Sequence, residues 1–178
     1  YYYGQGYSSA MLGDGLLLFG ADPVIDNDND CIPANNQDGG DTLLMGLWDD
    51  LNAADGAADD VYYETLGSAP SRMFVIQYNE VPHYNSSSLF TVQIILVETT
   101  NEIWLQYHTV ETGEAQYSSG AAATVGVQPS LADGLQYSCD DDSILHDELA
   151  VLFDVTCDDL DGDGLGECDG DCDDGDPM

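Results

Sequence analysis

Leu89-Phe90-Thr91-Val92-Gln93-Ile94-Ile95-Leu96-Val97, followed after Glu98 and Thr99-Thr100-Asn101 by Glu102-Ile103-Trp104-Leu105-Gln106-Tyr107-His108-Thr109, is the stretch that decides the fold. Its apolar residues recur with period two. Phe90, Val92, Ile94 and Leu96 fall on one face, and Thr91 and Gln93 on the other. Ile103, Leu105 and Tyr107 alternate in the same way with Trp104, Gln106 and His108. Two such runs around Thr99-Thr100-Asn101 predict a β-hairpin. Working outward, Leu149, Val151, Phe153 and Val155 repeat the alternation. Further strands are expected at Leu16–Phe19, Leu43–Trp48, Val61–Leu66, Met73–Tyr78, Ala122–Val127 and Leu135–Ser138. Gly13-Asp14-Gly15, Asp55-Gly56 and Asp133-Gly134 supply turn chemistry. About ten short strands without an amphipathic helix predict an all-β chain, an antiparallel β-sandwich over residues 1–156.

The 178 residues carry 35 Asp and Glu against a single basic residue, Arg72, for a formal net charge of −34. Such a chain has no cations with which to neutralise phosphates, so nucleic-acid binding is excluded. Docking on anionic membranes is disfavoured for the same reason. Self-repulsion must be relieved by cations from solution. No stretch is long and apolar enough for a membrane span. A chain starting at Tyr1 without Met reads as a processed or fragmentary product. Five cysteines, three of them within Cys157–Cys172, suit disulfides in an oxidising compartment. A thiolate zinc site is the competing reading, although Cys168 and Cys172 stand among hard carboxylate ligands. Two bridges would leave one cysteine for a bond beyond the chain or as a free thiol.

Composition changes sharply near Cys157. From Asp158 to Asp176 ten of nineteen residues are acidic, and Leu160 and Leu165 are the only aliphatic ones. Residues 157–178 therefore cannot build a core and form a separate connector. Within it, Asp159, Asp161 and Asp163 occupy positions 1, 3 and 5 of a loop whose position 6 is Gly164. Alternate carboxylates converge on one ion when the chain curls, and the position-7 carbonyl, here of Leu165, adds a ligand. Hard oxygen donors in that number predict Ca2+. An EF-hand is not expected, because position 12 is Gly170 and no helices flank the loop. Asp169, Asp171 and Asp173, followed by Asp174 and Asp176, form a second cluster.

Residues 157–178 resemble the Asp-rich calcium repeats of thrombospondin type 3 and of bacterial surface proteins. That resemblance implies Asp159, Asp161, Asp163, Glu167, Asp169, Asp171, Asp173 and Asp176 as ligands. In the body, Gly46-Leu47-Trp48-Asp49-Asp50-Leu51, Val61-Tyr62-Tyr63-Glu64-Thr65-Leu66-Gly67 and Phe90–Tyr107 resemble β-rich modules of secreted bacterial proteins and nidogen-type extracellular domains. The likeness covers roughly residues 10–155 and implies a non-catalytic adhesion or assembly part.

The remaining constellations are weaker. Asp26, Asp28 and Asp30 alternate before Cys31 as a further calcium loop or a solvated loop tip. Asp49 and Asp50 are expected to cap the turn after the Trp48 strand. His83, His108 and His146 are scattered and belong to no metalloprotease or nucleophile-elbow motif. Asn85-Ser86-Ser87 matches the N-glycosylation triplet. Tyr1-Tyr2-Tyr3 and Tyr7 suit stacking on sugars or packing against another subunit. Together these features predict a secreted or cell-surface, calcium-stabilised, non-enzymatic protomer of a homopolymeric fibre, extended by strand addition through Tyr1–Tyr7. The alternative is a carbohydrate- or matrix-binding adhesion module of a multidomain surface protein.

Overall fold

The expected hairpin is the centre of one of two antiparallel sheets. A computed structural model describes residues 2, 5–20, 27–34, 42–53 and 61–154. Among them are ten strands: β1 (Ala10–Gly13), β2 (Leu16–Phe19), β3 (Leu43–Trp48), β4 (Val61–Leu66), β5 (Met73–Pro82), β6 (Leu89–Val97), β7 (Ile103–Thr109), β8 (Thr124–Ser130), β9 (Asp133–Cys139) and β10 (Leu149–Phe153). They form sheets of order β1-β2-β3-β8-β9 and β10-β7-β6-β5-β4. The only helical element among the described residues is a 3-10 turn at Ser118–Gly120.

Register converts the period-two pattern into layers. Tyr63, Ile76, Ile94, Leu105 and Val151 lie in one row across the second sheet, and Tyr78, Val92 and Tyr107 in the next. Apart from the exposed Tyr63 at the sheet edge, these rows pack on Leu17, Leu44, Leu47, Val125 and Val127 from the first sheet. Face-to-face packing of two antiparallel sheets over a shared apolar core is a sandwich. Burial raises the Tyr107 phenol far above its ordinary pKa, and its hydroxyl donates to the Gly46 carbonyl at 2.7 Å, tying the sheets together.

The first sheet also has a second core on its outer side. Leu16, Leu18, Leu43, Met45 and Trp48 are buried there, together with Ala34. Among the described residues, the strap 27–34 lies over them through Ile32 and Ala34. Ile32 sits over Gly126 and Gly134, where an added Cβ would come within 2.6 Å of its side chain. The Gln128 amide pairs with the strap backbone in both directions, accepting from Ala34 N at 2.7 Å and donating to Ala34 O at 2.8 Å. Asn29 donates to Thr124 Oγ1 and Asp140 Oδ1. A disulfide between Cys31 and Cys139 closes the strap onto β9.

Several boundaries differ from the sequence expectation. β1 has no counterpart there, because its short run is half exposed and carries no alternation. Asp133-Gly134 is not a turn. It begins β9, and Leu131-Ala132 make the connection; Gly134 is small because Ile32 lies on it. β5 runs on to Pro82 through a bulge, and β8 begins at Thr124 and extends to Ser130. Asp55-Gly56, Val155 and residues 157–178 lie outside the described residues.

One carboxylate secures the approach to β10. Asp147 Oδ1 accepts from Val110 N at 2.7 Å and from Glu111 N at 2.9 Å. The Glu111 N–H, above all, holds its pKa below the usual carboxylate range. A depressed folded pKa gives stability that is present above the unfolded value, about 3.9, and lost as pH falls through the folded one. Asp147→Ala is expected to cost about 1–2 kcal/mol near neutral pH. Its deficit relative to wild type should shrink on acidification, which urea melts across pH would reveal.

Candidate functional site

Nine residues are expected from the sequence to ligate calcium: Asp159, Asp161, Asp163, Leu165, Glu167, Asp169, Asp171, Asp173 and Asp176. All lie outside the described residues, as does Asp26. Asp28 and Asp30 fall on the strap, where the Asp30 carbonyl accepts from Thr124 Oγ1 at 3.0 Å. Beside them Cys31, Cys139 and Asp140 bring one potential ligand atom each within 4.8 Å of one another. Both sulfurs belong to the disulfide, so neither is a thiolate donor, and one carboxylate is not a calcium site. The strap explains this cluster structurally.

The turn after β3 holds a buried ionisable pair. Asp49 Oδ1 accepts from Asp50 N at 2.8 Å, the capping role expected of it. It also lies 3.4 Å from His83 Nε2, with both side chains about 6% exposed. His83 stacks on Tyr117 with ring centroids 3.7 Å apart. Burial raises the Asp49 pKa, with His83 opposing the shift. Sequence spacing gives no hint of this meeting, because His83 arrives through the Leu51–His83 bridge. His83 Nδ1 accepts from Asn85 N at 3.2 Å. Both ring nitrogens thus face a partner, Asp49 on one side and the Asn85 N–H on the other. The pair joins two loops.

Asn85 is exposed in the β5–β6 loop, and the neighbouring Ser86 and Ser87 hydroxyls donate to Glu114. These bonds lower the Glu114 pKa. His108 and Glu148 pair at 2.9 Å on the surface. Arg72, the only basic residue besides the histidines, is spent on Glu98, whose pKa falls to about 2 chiefly through that hydrogen bond.

The sides of the sandwich expose apolar residues among the described ones. Between β1 and β4 lies a cavity of about 320 Å³ lined by Met11, Leu12, Leu17, Tyr63, Phe74 and Ile76. Between β9 and β10 lies another of about 320 Å³, lined by Leu135, Tyr137, Val151, Leu152 and Phe153. Tyr63 is 75% exposed and Leu135 58%. Each cavity marks a place where, among the described residues, two edge strands lie side by side with apolar side chains exposed.

Of the segment Tyr1–Tyr7, the described residues pack on the chain's own first sheet. Tyr2 is buried, stacks on Phe19 at 4.4 Å, and donates its hydroxyl to Leu43 O at 2.6 Å. Its backbone pairs with Gln5 of the same segment. Tyr7 leans on Phe19 as well. Tyr1 and Tyr3 lie outside the described residues.

These features define a disulfide-strapped, two-sheet all-β module with open sides. A family model described as NIDO related matches residues 1–145, and the chain belongs to that family. The nidogen-like resemblance of the body is thereby shown at family level. Neither a curated protein nor a solved structure matches the chain. No helix among the described residues is long and apolar enough to cross a membrane.

Proposed function

We propose that the protein is a secreted, non-enzymatic, calcium-stabilised protomer of an extracellular homopolymeric fibre. The observation that carries this reading is the pair of open sides. β1, β4, β9 and β10 contain no Lys, Arg or Pro, the residues that usually block a sheet edge. Their exposed apolar residues include Met11, Tyr63 and Leu66 on one side and Leu135, Tyr137 and Leu152 on the other. The two sides differ in sequence and lie at opposite ends of both sheets. Contact between one side and the opposite side of the next copy is heterologous, and such contacts propagate unless a rotation closes them into a ring.

Charge sets the condition for assembly. Copies carrying a net −34 repel one another, so divalent cations are required. Residues 158–176, with Asp159, Asp161 and Asp163 around one ion and Asp169, Asp171 and Asp173 around another, are the proposed sites. The family assignment and the Cys31–Cys139 bridge support extracellular placement.

Tyr63→Asp and Leu135→Asp each put a carboxylate on one exposed side without disturbing the core. In roughly millimolar calcium, either variant should run as folded monomers in gel filtration with light scattering, while the wild type forms large assemblies. Assemblies of wild-type size from the double variant would rule out growth through these sides.

A further inference from the structure

We infer that the outer face of the β4–β10 sheet carries a binding trough for an uncharged saccharide chain. This surface meets the β9–β10 side at Ala150, which lines both, but its test reads saccharide binding rather than assembly, so the two readings fail separately.

The trough begins with two bulges that meet at Thr91. On β5, Asn79 and Glu80 together oppose Thr91, with Glu80 at φ +55°. On β7, His108 is the extra residue between the Val92–Tyr107 and Thr91–Thr109 pairs. Bulges bend their strands and re-aim side chains. At the edge, Ala150 stands opposite Gln106 and leaves space. The resulting concavity is about 460 Å³, within the range of small-molecule sites. His108 and Glu148, paired at 2.9 Å, bound it on one side.

Its floor is a row of amides. Gln77, Gln93 and Gln106 are directly cross-strand from one another. Gln93 Nε2 donates to Gln77 Oε1 at 2.6 Å, and Gln77 Nε2 donates to Asn79 Oδ1 at 3.1 Å. This relay leaves the Gln93 oxygen at one end as an acceptor and the Asn79 amino group at the other as a donor. Gln106 adds a further exposed amide. Sugar hydroxyls both donate and accept, so they match such a row. One side-chain step along β7, on the same outward face, is the half-buried Trp104, its Nε1 donating to Glu102. An indole beside hydrogen-bonding groups suits the apolar C–H face of a pyranose.

Charge narrows the ligand. The trough contains no Lys or Arg, and Glu148 borders it; sulfated, phosphorylated and uronic saccharides would be repelled.

The test is calorimetry on the full chain with neutral hexasaccharides of β-linked glucose, β-linked N-acetylglucosamine and mannose, with polygalacturonate as the anionic probe. At least one neutral hexamer should bind, and polygalacturonate should not. Gln93→Ala with Gln106→Ala should weaken binding about tenfold or more, as loss of one to two hydrogen bonds would. Gln106→Ala alone, at an exposed position, should weaken it less while leaving the fold intact. The inference is overturned if no neutral hexamer binds at millimolar concentration. It is equally overturned if the double variant binds as wild type does, or if polygalacturonate is preferred.

Discussion

Replacing both Cys31 and Cys139 by Ser is expected to cost about 4–5 kcal/mol, the largest single effect in this fold. The bridged residues are 108 apart in sequence, and a cross-link across so long a loop removes much of the entropy of the unfolded chain. Against a typical total of about 5–15 kcal/mol, such a loss brings the domain close to unfolding at physiological temperature. The structure also says where loosening should start. With the bridge gone, the strap 27–34 keeps Ile32 in its seat and the Gln128 amide pairs, but nothing covalent holds it over Leu16, Leu43, Met45 and Trp48. Trp48 is fully buried. Its fluorescence should shift to the red in the variant, before the global transition in a thermal melt. A melt indistinguishable from wild type would mean that the bridge contributes little to folding.

Gly15→Ala should be nearly as damaging, at about 3 kcal/mol or more. Asp14 and Gly15 form the two-residue β1–β2 turn with φ of +43° and +76°, the left-handed pair that a tight hairpin needs. Gly15 O accepts both Gly46 N and Leu47 N at 3.0 Å, where β3 bulges so that Leu44, Gly46 and Leu47 all serve the inner core. A Cβ on Gly15 would lie 1.7 Å from Leu47 O, a backbone atom that cannot step aside. Gly113, at φ +83° with nothing within 4 Å of the place a methyl would occupy, separates the two causes. Gly113→Ala carries only the left-handed backbone cost, about 1–2 kcal/mol. Equal losses in the two variants would show that the contact with Leu47 relaxes freely.

How far sequence reaches into this fold depends on what each residue faces. In β6 and β7 one face is buried and the other wet, so alternation alone locates Phe90, Val92, Ile94, Leu105 and Tyr107 in the core. β2 and β3 read differently. Leu16-Leu17-Leu18 and Leu43-Leu44-Met45 are buried on both faces, and an unbroken apolar run does not announce its second cover. That cover is the polar-looking strap, whose role rests on pairings across about a hundred residues and is invisible locally. Gly134 invites a turn reading because Gly usually marks one; here it makes room for Ile32, as Gly126 does within its expected strand. Asp49 advertises its capping role through position alone, whereas its partner His83 comes from another hairpin. The Asp-rich run proposed to bind calcium is the converse case. Its spacing is fully written in Asp159–Glu167, while its geometry lies beyond the described residues.

The measurement closest to the central claim is electron microscopy of the purified full chain in roughly millimolar calcium, repeated after addition of excess chelator. Long unbranched fibres are expected with calcium, loosening or dissociating once it is withdrawn, with the disulfide-strapped body still folded. Monodisperse single particles in both conditions, or fibres indifferent to the chelator, would contradict it.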